Sequence, residues 1–67
     1  MDWEVVYKTG NSYHAEIIKG VLKENMIDAV IINKKDSNYH FGHFEVVVQR
    51  DSILKAIKII KDDIKFK

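Results

Sequence analysis

Asp28-Ala29-Val30-Ile31-Ile32-Asn33, then Lys34-Lys35-Asp36-Ser37-Asn38-Tyr39-His40-Phe41-Gly42, then His43-Phe44-Glu45-Val46-Val47-Val48-Gln49 is the stretch that decides the fold. Its two ends are β-branched and apolar, which reads as two strands of one hairpin. A hairpin needs only about two to five connecting residues. The nine residues from Lys34 to Gly42 exceed that, and they include two Lys, one Asp, one His and two aromatics. Surplus polar and aromatic length on a small scaffold is a usual place for recognition. Lys34, Lys35, Asp36, Tyr39, His40 and Phe41 are therefore the candidate contacts for a partner or ligand.

Upstream, Trp3 to Lys8 is aromatic and β-branched, and a period of two places Trp3, Val5 and Tyr7 on one side of a strand. Thr9 to Ser12 reads as a turn, with Asn11 or Ser12 as the helix cap. From Tyr13 to about Asn25, Ile17, Ile18, Val21, Leu22 and Met26 recur at spacings of three and four, the pattern of an amphipathic helix. Gly20 inside it is expected to let the helix approach a neighbour closely.

Downstream, Phe44, Val46 and Val48 fall on one face of the last strand, and His43, Glu45, Val47 and Gln49 on the other. Asp51 or Ser52 then caps a second helix whose buried stripe is expected to be Ile53, Ala56, Ile57, Ile60 and Ile64. Asp51 with Lys55, and Lys58 with Asp62, are spaced for ion pairs one helical turn apart. Lys61, Lys65 and Lys67 lie toward the partially negative helix end.

The order is β-α-β-β-α. A right-handed crossover makes the first two strands parallel, and the hairpin makes the third antiparallel to the second. The reading is an α+β fold, a ferredoxin-like half-sandwich with a three-stranded sheet of order 1-3-2 and two helices on one face. No fourth strand covers the outer edge of Trp3–Lys8. A homodimer through this edge or through the open sheet face is expected.

Composition bounds the function. The 67 residues form a single domain, 1–67, with no linker or tail. A chain this short buries only about 60% of its unfolded surface. There is no Cys, which excludes disulfides, Cys-based zinc sites and thiol catalysis. The longest aliphatic run, Ala29 to Ile32, is far below the roughly 18 residues of a membrane span. Met1-Asp2-Trp3-Glu4 is acidic where a signal peptide is basic, so a cytoplasmic location is the default. Net charge +1 supplies no general attraction to nucleic acid or anionic lipid.

Individual motifs point to no chemistry. His40 and His43 are three residues apart with Asp36 nearby, but they straddle a loop and a strand start, away from the same-face geometry of a helical zinc motif. Phe41-Gly42-His43-Phe44 has a faint likeness to the aromatic RNA-binding strand of an RRM. Glu45 would stand among the open-face residues Phe41, His43 and Val47, where a carboxylate repels phosphate. No nucleophile-elbow, Walker A or dinucleotide motif is present. The reading is non-enzymatic, with no cofactor and no metal.

Trp3 to Tyr7, Ala15-Glu16, Leu22, Ile27-Asp28-Ala29-Val30, Asn33 to Ser37 with Tyr39 and Gly42, and Val46, Val48, Asp51 and Ala56 carry a family resemblance over nearly the whole chain. It resembles the prokaryotic signal-transducing protein family, a bacterial domain family of unknown function. Many members have Gly where this chain has Met26, and Val-Pro where it has Gln49-Arg50. The family's fold is similar to that of PII-type nitrogen-signalling proteins, in which a long loop between strands two and three contacts partners and helps bind nucleotide. The resemblance implies a regulatory or protein-interaction module. Nucleotide binding is not carried over, because no glycine-rich phosphate cradle is evident. The expected function is partner recognition through loop 34–42. The alternative is a sensor for a nucleotide or other small anion held by Lys34 and Lys35, with RNA binding behind both.

Overall fold

The computed structural model describes residues 2–36 and 41–64. Five main elements follow the expected order: β1 (Trp3–Thr9), α1 (Ser12–Glu24), β2 (Ala29–Asn33), β3 (Phe44–Gln49) and α2 (Ile53–Asp63). β3 lies between the other two strands and is antiparallel to both. The two edge strands are therefore parallel to each other, as a single helical crossover requires. Ala15, Ile18 and Leu22 of α1 share one cluster with Val46 and Val48 of β3 and Ala56 and Ile59 of α2. Both helices thus cover the same face of the sheet, and the fold is the α+β half-sandwich read from the sequence.

Local chemistry sets the ends of α1. Asn11 is the N-cap, its Oδ1 accepting from the Tyr13 and His14 amides at 2.9 and 3.3 Å. At the other end the Ile27 amide donates to the Leu22 carbonyl and the Met26 amide to that of Lys23. This is a Schellman closure, with buried Ile27 and Leu22 in the same hydrophobic cluster. It places Met26 at φ +66°, 91% exposed. Met26 is therefore no part of the buried stripe. It occupies the left-handed position where glycine is usual.

Three other expectations are corrected. Trp3, Val5 and Tyr7 do not share a side, because β1 carries a bulge. Val5 pairs with Val47 but Tyr7 pairs with Val46, leaving Val6 as the extra residue. Val6 and Tyr7 both pack on the helix-side core, while Trp3 and Val5 are exposed. Gly20 is exposed and a Cβ there would meet nothing, so it serves no close approach. On α2 the inward residue is Ile59 and not Ile57, which is 45% exposed. Ile57 and Ile59 flank the inward line of Ile53, Ala56, Ile60 and Ile64 on opposite sides, and the core lies toward Ile59. A 3-10 turn at Arg50–Ser52 precedes α2. Ser52 occupies the N-cap of α2 but makes no side-chain cap bond.

The two helices meet near their ends. Lys55 Nζ reaches the Asn25 carbonyl at 3.4 Å, and not Asp51 as its spacing had suggested. Lys58 and Asp62 do form their pair, at 3.3 Å. Lys61 lies in the last turn of α2, and Lys65 and Lys67 lie outside the described residues.

Candidate functional site

The β2–β3 ladder does not stop where the strands do. Asn33 pairs with Phe44, the Lys34 amide donates to the His43 carbonyl at 2.9 Å, and the Asp36 amide donates to the Phe41 carbonyl at 2.7 Å. Asp36 and Phe41 form a further bridge in the same register. The nine-residue loop is thus mostly a paired arm, with four residues, 37–40, between the last bridge partners. Its length is not surplus to a hairpin after all. Ser37, Asn38, Tyr39 and His40 lie outside the described residues.

Gly42 makes the arm close. It sits at φ +112°, and a Cβ there would run into the Lys34 carbonyl and approach Lys35 Cα to 2.8 Å. No side chain fits without moving the backbone. The arm holds Phe41 73% exposed. Lys35 folds over the Phe44 ring, with Nζ 5.2 Å from its centroid. Lys34 is at the arm's base. The structure therefore brings Lys34, Lys35, Asp36 and Phe41 onto one paired segment, with Lys34 toward Glu45 and Lys35 over Phe44.

Beside the arm's base lies a short polar contact. His43 Nε2 lies 2.8 Å from Glu45 Oε2. That hydrogen bond holds the Glu45 carboxyl below the usual carboxylate range. Partial burial pushes the other way, and the charges of Lys34 and Lys8 reinforce the lowering. His43 is thus engaged with a carboxylate, and Lys34 faces a fixed negative charge. Among the described residues no three His, Cys, Asp or Glu side chains are grouped to hold a metal.

Between Lys8 and Gln49 the open face carries an apolar patch. Trp3 and Val5 from β1 and Val30 and Ile32 from β2 are exposed on either side of Val47. Val47 is only 4% exposed, although no helix covers it. The sequence reading did not assemble this patch. The four-residue apolar run Ala29 to Ile32 was its signal, since unbroken hydrophobicity means both faces of a strand are apolar. Nothing in the sequence marked the bulge that turns Trp3 and Val5 outward. Elsewhere, a depression lined by Asp2, Gln49, Arg50 and Asp51 is closed chemically, because Arg50 already binds Asp2 through its guanidinium at 3.4 Å and its amide at 2.9 Å.

The chain matches no family model, no curated protein and no solved structure. No helix among the described residues is long and apolar enough to cross a membrane.

Proposed function

We propose that this chain is a small, non-enzymatic regulatory domain of the bacterial cytoplasm that recognises a protein partner through arm 34–42, with Phe41 as the apolar anchor. The observation that carries the reading is Phe41 itself, a large aromatic left 73% exposed on a strand pair whose geometry Gly42 fixes. A pre-ordered aromatic loses little conformational freedom on binding and is a common centre of interface energy. Asp36, its bridge partner, lies beside it and supplies a charge for orientation. The resemblance to the signal-transducing family supports the regulatory part.

The sensor reading is less favoured, because Lys34 lies beside the Glu45 carboxylate and Lys35 stacks on Phe44. The test compares proteins retained from a lysate of the source organism by the wild-type chain, Phe41→Ser and Leu54→Ser. Leu54 is exposed on α2, which follows the end of β3 opposite the arm. A partner held by wild type and Leu54→Ser but lost with Phe41→Ser is the expected result. Retention indifferent to Phe41 overturns the reading. A nucleotide at 100 times its dissociation constant would stabilise the fold by about 2.7 kcal/mol. Such a shift, abolished by replacing Lys34 and Lys35, would install the sensor instead.

A further inference from the structure

β2 is an edge strand, and its backbone orientation can be read from the ladder. Lys34 and Asp36 direct their amides at β3. Because residues alternate along an antiparallel strand, Val30 and Ile32 also direct their backbone groups at β3. Ala29, Ile31 and Asn33 present theirs to the outside. Beyond Asn33 the edge is closed, since Asn33 Oδ1 accepts from the Lys35 amide at 2.8 Å. No strand lies beyond β2 among the described residues.

From this we infer that β2 is the interface for a second copy of this chain, paired antiparallel about a two-fold axis at Ile31 to give a six-stranded sheet. The strand is complementary to itself in that register and needs no other partner chemistry. Ala29 meets Asn33 of the other copy and Ile31 meets Ile31, so all three outward-facing residues find hydrogen-bonded partners. Between them Val30 packs across from Ile32 on the open face, joining the two apolar patches. At the ends Asp28 stands opposite Lys34, once on each side of the axis, and both are exposed in one chain. A shift of two residues in either direction keeps the hydrogen bonds possible but breaks both charge pairs. β1 is the poorer edge, because the bulge at Val6 interrupts its spacing and Glu4 and Lys8 guard it. The inference does not depend on the Phe41 contact.

Asp28 and Lys34 are six residues apart on one extended segment, about 20 Å. Any coupling between them must therefore arise between chains. Sedimentation equilibrium of wild type, Asp28→Lys, Lys34→Asp and the double reversal tests this. Wild type is expected to dimerise reversibly. Each single reversal turns two attractions into two repulsions and should raise the dimer dissociation constant about tenfold or more. The double reversal should return it to within about threefold of wild type. A wild-type chain that is monomeric at about 1 mM overturns the inference. So does a dimer whose double reversal is no tighter than the single ones. Cysteine pairing checks the register separately, since the chain has no thiol of its own. Non-hydrogen-bonded partners sit about 4.5 Å apart at Cα, within disulfide range. Val30→Cys mixed with Ile32→Cys should crosslink, and neither variant should do so alone. Crosslinking of Val30→Cys alone at the rate of the mixture would overturn the register.

Discussion

The two faces of β3 bury their valines by different means. Val46 and Val48 are fully enclosed because two helices lie over them, whereas Val47 is nearly as inaccessible with no helix or strand above it among the described residues. Its cover is lateral: Val5 and Val30 stand directly beside it on the flanking strands. On a central strand, neighbours in the same layer can exclude water without filling all the space around a side chain. The two kinds of burial should differ in energy, because only an enclosed side chain leaves a cavity when it is cut back.

The largest effect belongs to the enclosed side. Leu22→Ala should cost about 3–5 kcal/mol, against a total of about 3–10 kcal/mol for a chain of this length. Denaturant titration should find a substantially unfolded population. Val48→Ala removes two methyl groups and opens a cavity, for about 2–3 kcal/mol. Val47→Ala should cost about 1–1.5 kcal/mol, since solvent can occupy the space. Equal losses at Val47 and Val48 would break the comparison. They would mean that something covers the open face in solution.

Gly42→Ala addresses the arm, which continues the β2–β3 ladder past Asn33 and Phe44. It should cost about 1–3 kcal/mol of local stability through backbone strain. The expected readout is faster hydrogen exchange at the Lys34 and Asp36 amides, with Val46 still protected. Unchanged exchange would show that the arm tolerates a side chain at Gly42. Two exposed positions, one on α1 and one just past its C-cap, should move the other way. Gly20→Ala fills open space in a helix interior, and Met26→Gly relieves a left-handed residue that packs on nothing. Each should raise stability by about 0.5–1 kcal/mol in thermal melts.

Alternation and helical spacing made the architecture legible, because β2, β3 and both helices obey their periods over most of their length. The extra residue Val6 resets the period of β1 and turns Val5 to the open side. On α2 the period holds, and spacing alone does not choose which flank of the Ala56–Ile60 line, Ile57 or Ile59, faces the core. Met26 extended the apolar pattern of α1 past its end, and only the neighbouring Schellman bonds reveal that it is a cap. For the candidate site, the surplus length read into 34–42 is largely ladder. A count of polar residues cannot see that Lys34 and Asp36 continue a ladder.

The smallest effect concerns the polar end of the open face and its dependence on pH. Glu45 has its folded pKa lowered, first by the hydrogen bond from His43 and then by Lys34 and Lys8 against partial burial. A carboxyl more acidic in the folded state than in the unfolded chain favours folding whenever it is ionised. That contribution is complete above the ordinary carboxylate pKa, and it is lost as pH falls through the lower, folded value. Wild type should therefore lose thermal stability on acidification more steeply than Glu45→Gln, which keeps a hydrogen-bonding group but cannot titrate. The two melting curves should converge at the acid end of the range. Parallel curves from neutral pH down would show that Glu45 titrates alike in both states, so that the His43 contact stabilises nothing. The open face would then owe all its order to Val47 and its lateral neighbours.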